Sequence, residues 1–229
     1  MQIIRSQPSL VDQVYEAILG WIEDGRYGED ARLIQEDIAE TLGVSRQPVQ
    51  QALLLLRNMG VLINAPGRGL MVAPLESDKV RDMYEIRASL DALASGMAAE
   101  RGAERARNEG KAIIDRGLKA VASKVISELV LADMEFHHFI YELSGNRMLA
   151  ETVEPHWAYL RRVMGEVLHM GASANEIWEQ HAAIMQAIAD GDAERARQLA
   201  KDHIEHSGVM VLESLKAAGG DDKNMAKAM

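Results

Sequence analysis

Asp133 and His137 stand four residues apart, a spacing that puts both on one face of a helix. Two further histidines, His181 and His203, fall in later stretches whose apolar residues recur at helical intervals. One carboxylate and three imidazoles form a donor set suited to a divalent metal (Zn²⁺, Ni²⁺ or Mn²⁺), with coordination positions left for water or an incoming carboxylate. Spacing alone leaves the ordinary alternative open, that each is a packed or surface residue. His138, His156, His169 and His206 are assigned by default to packing or solvent. Arg87 and Arg161 carry planar donor forks suited to the carboxylate of a small organic acid, and Arg162 is nearly as well placed. A salt bridge to a neighbouring helix is the competing role for each. Asn146 either contacts the same ligand or caps a turn.

A different chemistry is written into residues 42–49, Leu42-Gly43-Val44-Ser45-Arg46-Gln47-Pro48-Val49. Gly43 permits the positive backbone angle of a tight turn, and Val44 can anchor that turn in a core. Ser45 and Arg46 then open a helix, whose first turn has free N–H groups and partial positive charge. Pro48 sits in that first turn, where its missing N–H costs nothing. Such an N-terminus suits phosphate, and its side chains can reach base edges in a major groove.

The elements that must position these residues follow from periodicity. Val11, Tyr15, Ile18 and Ile22 predict a helix over 10–24 with Ser9 as N-cap. A second runs from Ile34 to Leu42 and ends at Gly43; a third, capped by Ser45, ends near Gly60. The runs 61–63 and 70–72 around Pro66, Gly67 and Gly69 read as a β-hairpin. Beyond Asp78 only helical periodicity appears, with helices at 78–101, 103–121, 124–144, 147–169, 174–190 and 192–217. The breaks fall at Gly102, Ser123, Gly145, Gly171 and Gly191. The chain is therefore mainly α. Three helices plus a hairpin occupy residues 1–75, an all-helical bundle residues 76–218, and residues 219–229 a disordered tail.

The segment from Ile34 to Leu53 resembles the GntR family of bacterial regulators, in its FadR-like branch. Ala52-Leu53, Leu56, Gly60 and Gly67-Arg68-Gly69 continue the likeness, which covers about 65 residues. It implies a winged helix-turn-helix that binds double-stranded DNA. Arg46 would meet a base edge or phosphate, with Ser45 and Gln47 beside it. Arg32 would reach the phosphate backbone, and Arg68 and Gly69 would form a wing tip at the minor groove. Two positions depart from the family pattern: Gln50 and Glu36 stand where many members have arginine. Gln50 can read adenine bidentately, so a shifted operator sequence is expected; Glu36 would repel phosphate. Residues 78–217 resemble the FCD ligand-binding domain through Glu85-Ile86-Arg87, residues 133–137, Ser144-Gly145-Asn146, Glu179-Gln180-His181 and His203. That likeness implies a metal held by Asp133, His137, His181 and His203, an effector contact for Arg87, and a homodimer.

Composition bounds the rest. The chain has 229 residues, 48% of them apolar, 4% aromatic and none cysteine. Disulfides and thiolate metal sites are excluded, and a reducing cytoplasm is the expected location. The first residues lack the apolar core of a signal peptide, and no apolar run approaches the ~20 residues that span a bilayer. Net charge is −10; residues 1–75 hold six Arg, no Lys and nine acids, or 6 − 9 = −3. DNA contact must therefore come from a local basic patch, and residues 76–229, at 19 − 26 = −7, are an improbable nucleic-acid surface. The reading is a repressor, not an enzyme, released from a palindromic operator by a small organic acid. A metal-dependent hydrolase and an activator of the same fold are the alternatives.

Overall fold

A computed structural model describes residues 8–169 and 173–225, of which 218–225 by backbone alone. The chain divides into two compact units. The first holds residues up to Pro74 together with His156–Gly165; the second holds the remainder.

In the first unit, helix α1 (Leu10–Glu23) opens on a capping box. Asp12 N–H donates to Ser9 Oγ at 3.1 Å, and Ser9 N–H donates to Asp12 Oδ2 at 2.9 Å. Strand β1 (Arg32–Leu33) leads to α2 (Gln35–Leu42), the Gly43 turn at φ 65°, and α3 (Arg46–Asn58). Strands β2 (Leu62–Asn64) and β3 (Leu70–Val72) form the hairpin, and the antiparallel sheet has order β1-β3-β2, with Met71 facing both Arg32 and Ile63. Ile18, Leu19, Ile38, Val49, Leu56 and Val72 build the core, joined by Ala158 from the returning segment. Strand β1 is missing from the sequence reading because two residues show no period.

The second unit is a bundle of α4 (Ser77–Arg101), α5 (Ala103–Ser123), α6 (Ile126–Ser144), α7 (Arg147–Val153), α9 (Ala174–Asp190) and α10 (Ala193–Met225). Helix α8 (Trp157–His169) begins in the first unit. Helix α4 packs on α10, α6 and α9, and α5 on α9 and α6. The single helix expected over 147–169 is broken by a 3-10 turn at Glu154–His156. Pro155 explains the break: it donates no backbone hydrogen bond and its ring clashes with the preceding turn. The structure carries α10 to Met225, past the 217 expected, so residues 219–225 are helical where a disordered tail was read. The expected break at Gly171 and the last four residues lie outside the described residues. No helix among the described residues is long and apolar enough to cross a membrane.

Candidate metal centre and nucleic-acid interface

The turn between α2 and α3 brings Ser45, Arg46, Gln47 and Gln50 to the exposed side of α3, while Val49, Ala52, Leu53 and Leu56 on the other side enter the core. Ser45 occupies the N-cap position, yet its hydroxyl makes no capping hydrogen bond. The first N–H groups of α3 thus keep the anion-binding character of an open helix start. Arg46 Nη1 donates to Glu36 Oε1 at 2.8 Å, and Gln35 Nε2 donates to the Arg46 carbonyl at 2.6 Å. Arg68 stands exposed between Gly67 (φ 89°) and Gly69 (φ 93°) at the tip of the hairpin. A side chain at either glycine would be strained, so the tight tip depends on them. Arg32 Nη2 donates to the Pro66 carbonyl at 2.8 Å, which ties it to that hairpin. Arg32, Gln50, Arg68 and Gly69 line one groove between α3 and the hairpin. Arg57 lines it too; sequence reasoning missed it, though it falls on the Gln50–Leu53–Leu54 side of α3.

In the bundle, α6 supplies Asp133 and His137, α9 supplies His181 and α10 supplies His203, all buried. His181 Nε2 lies 3.1 Å from His203 Nε2 and 3.5 Å from Asp133 Oδ1, and His137 Nε2 lies 3.6 Å from Asp133 Oδ2. The three histidines each offer a nitrogen, all within 4.8 Å of one another. The outer nitrogens are oriented from behind. His137 Nδ1 is 2.9 Å from Asp91 Oδ1, and His203 Nδ1 is 2.7 Å from Gln180 Oε1. Such carboxylate and amide partners fix the ring and leave the opposite nitrogen for a cation. His181 Nδ1 has no hydrogen-bond partner; its ring instead stacks on Phe136 at 3.9 Å and meets Trp178 edge-on at 4.8 Å.

Electrostatics favour the ligating forms of His181 and His203. Burial, with the neighbouring His203, His137 and Arg87, pushes the His181 pKa well below its ordinary value; burial pushes His203 to about 3. Both imidazoles are therefore neutral near pH 7, as ligation requires. Burial raises the Asp133 carboxyl, against the pull of His137 and Arg87. Asp133 Oδ2 makes no hydrogen bond. A buried carboxylate oxygen in that state, beside converging neutral imidazoles, is the condition that a bound cation relieves. Asp91 is buried as well, yet His137 and Arg87 hold its carboxyl below the ordinary range.

Arg87 lies in this cluster, its Nε 3.3 Å from Asp91 Oδ2 and its Nη2 3.8 Å from Asp133 Oδ2. Two other expected effector contacts sit elsewhere. Arg161 belongs to the first unit, where Nε and Nη2 donate to Glu23 at 2.5 and 3.1 Å and Nη1 donates to Glu16 at 2.7 Å. Its donor fork is filled by carboxylates of α1, because the Pro155 break sends residues 156–165 to the first unit. Asn146 is the N-cap of α7, its Oδ1 accepting from Met148 N–H at 3.1 Å. Asp91 and Tyr141, whose hydroxyl donates to Asp91 Oδ1 at 3.1 Å, escaped the sequence reading, and Gln180 entered it only within the Glu179-Gln180-His181 likeness, without its role behind His203. A signal existed for the first two: Arg87 and Asp91 are four apart on α4, and Asp133, His137 and Tyr141 recur every four on α6.

Residues 10–72 match the bacterial regulatory proteins of the gntR family, and residues 82–206 match the FCD domain. The chain is 29% identical over 189 residues to the Nta operon transcriptional regulator of Aminobacter aminovorans, covering 82% of this chain and 87% of that one. It is 26% identical over 195 residues to the HTH-type transcriptional regulator McbR of Escherichia coli, covering 82% and 86%. The solved structure of E. coli McbR/YncC superposes with a TM-score of 0.76 at 22% identity, over 90% of this chain and 99% of that one, a likeness of fold. The chain belongs to the GntR family, as a FadR-like DNA-binding transcriptional regulator whose second domain is an FCD domain.

Proposed function

We propose that the protein acts as a homodimeric repressor, released from a palindromic operator by a small organic acid that joins a divalent metal in the bundle. The single observation that carries the sensing half is the donor set of Asp133, His137, His181 and His203. Three imidazoles, those of His181 and His203 held neutral by burial, converge with one carboxyl group in a buried core, and two of the imidazoles are oriented from behind. A bound cation would supply Lewis acidity toward the acid's carboxylate. Arg87, held by Asp91 beside the cluster, supplies a charged fork for the same group. The DNA half rests on Ser45, Arg46, Gln47 and Gln50 exposed along α3, with Arg32, Arg68 and Gly69 around the adjoining groove. Residues 1–75 would form the DNA reader and 76–218 the sensing domain, except that His156–Gly165 is grouped with the first unit, so α8, which starts there, would give the coupling a covalent route.

Metal-stripped protein is titrated with Zn²⁺, Ni²⁺ and Mn²⁺ by calorimetry, and operator binding is followed with and without candidate C2–C6 carboxylates. One metal is expected to bind per chain, and one acid class to weaken operator binding by about 5–150-fold only in the metal-loaded protein. Loss of metal binding in Asp133→Ala and His137→Ala supports the site. Unchanged binding in both variants, or acids that bind without altering operator affinity, sinks the reading.

A further inference from the structure

Glu36 is an anomaly on the DNA-facing side of the first unit. That region already carries three more acids than bases, and a carboxylate beside phosphate opposes binding. Yet Glu36 is committed to one partner: its Oε1 accepts from Arg46 Nη1 at 2.8 Å. The residue before it, Gln35, donates from Nε2 to the Arg46 carbonyl at 2.6 Å. Consecutive residues of α2 therefore hold both the side chain and the backbone of the residue that opens the recognition helix. The ion pair is about two-thirds exposed, with side-chain exposures of 68% and 61%. An exposed pair of this kind contributes little to folding. Its consequence lies in what it does to the arginine.

We propose that Glu36 is a positioning residue that fixes the Arg46 guanidinium for a guanine edge, and so sets base specificity at one operator position. The inference rests on Arg46 meeting DNA. A guanidinium has five N–H donors. One spent on Glu36 leaves Nε and Nη2 for the O6 and N7 acceptors of guanine, the bidentate pairing that arginine makes in the major groove. A long, rotamer-rich side chain already anchored at one end loses less freedom on docking, so the gain is selective for the base that fits. The carboxylate supplies that anchor only when ionised; the hydrogen bond from Arg46 holds its pKa below the ordinary range. Arg46 would thus read the base, and Glu36 would raise selectivity at some expense in overall affinity.

The test is operator selection from a randomised library, followed by competition among the four bases at the position that responds to Arg46. Full-length wild type, Glu36→Gln, Glu36→Asp and Arg46→Ala are compared. Wild type is expected to prefer guanine there by about 10-fold or more. Glu36→Gln should reduce that preference to a few-fold, leave other positions unchanged and bind non-operator DNA more tightly. Glu36→Asp should keep the charge but recover only part of the preference, because the shorter arm reaches Arg46 less well. An unchanged guanine preference in Glu36→Gln overturns the proposal, as does uniform tightening on every sequence. If Arg46→Ala keeps the wild-type base profile, the contact assigned to Arg46 is itself wrong, and the proposal falls with it.

Discussion

His181 Nε2 and His203 Nε2 face each other at 3.1 Å inside the bundle core. Two lone pairs cannot share that distance, so the gap holds either a proton or a cation. Gln180 Oε1 accepts from His203 Nδ1–H, which leaves His203 Nε2 as the acceptor and His181 Nε2–H as the donor in the metal-free protein. A bound cation would replace that proton, which would couple metal binding to pH.

Acid should therefore destabilise the metal-free protein, with a sign set by both rings. Burial holds His181 well below the ordinary value of 6.5 and His203 at about 3. Between about pH 3 and 6.5 the unfolded chain binds more protons than the folded one, so stability rises with pH. The contribution is complete above about 6.5 and is lost as pH falls. Each histidine adds a slope of up to about 1.4 kcal/mol per pH unit in that window. Urea unfolding of chelated protein at pH 7.5, 6.5 and 5.5, beside His181→Gln/His203→Gln, checks this. A wild-type pH slope no steeper than the variant's would remove the two rings as its cause.

Much of this centre was legible in the sequence because helices convert spacing into faces. Asp133 and His137 are one turn apart, and each of His181 and His203 sits among apolar residues at helical intervals. The winged helix was equally legible: Gly43 needs a left-handed turn, and Gly67 and Gly69 a tight hairpin tip, so the sequence marks them. What the periodic pattern concealed is long-range. Arg161 reads as one more bundle residue until Pro155 redirects its helix to α1, 138 positions away in sequence from its partner Glu23. Gln180 faces His203 across two helices, and no local rule pairs them.

Arg161 and Glu23 should behave as a structural pair. Glu23 is buried, and burial raises its pKa despite the hydrogen bonds and charge of Arg161. Arg161→Ala strands that acid and should cost about 3 kcal/mol. Arg161→Met/Glu23→Leu removes both charges and should cost less than the single change. Acid-effector affinity should stay at the wild-type value in any folded variant. A selective loss of effector binding in Arg161→Lys, with stability retained, would return Arg161 to the ligand site.

Gly117 fixes the aromatic wall of the candidate metal centre. A Cβ there would overlap the Trp178 ring, which stands edge-on to His181. Gly117→Ala should lower stability by about 2–3 kcal/mol through overpacking, shift tryptophan emission and weaken metal binding. Gly28→Ala is the matched control: nothing lies within 4 Å of its Cβ position, and it should leave metal binding unchanged. If Gly117→Ala binds metal as wild type does while its emission shifts, the aromatic wall does not position His181.

Arg68 and Gln50 line one groove and should fail in different ways. Arg68 stands exposed at the hairpin tip, and its long cationic arm suits phosphate or the negative potential of a narrow minor groove. Gln50 is an exposed neutral amide on α3, with the donor and acceptor that pair with adenine N7 and N6. Arg68→Ala should weaken all duplexes alike and reduce the slope of log affinity against log salt by about 1. Gln50→Ala should keep that slope and relax preference at one operator position. Fluorescence anisotropy on operator and scrambled duplex from 50 to 300 mM salt, on the order of the range where such slopes are read, separates them. An Arg68→Ala slope equal to wild type would detach the wing from the phosphates, whereas a shallower slope in Gln50→Ala would mean the amide acts through the backbone of the DNA and not its bases.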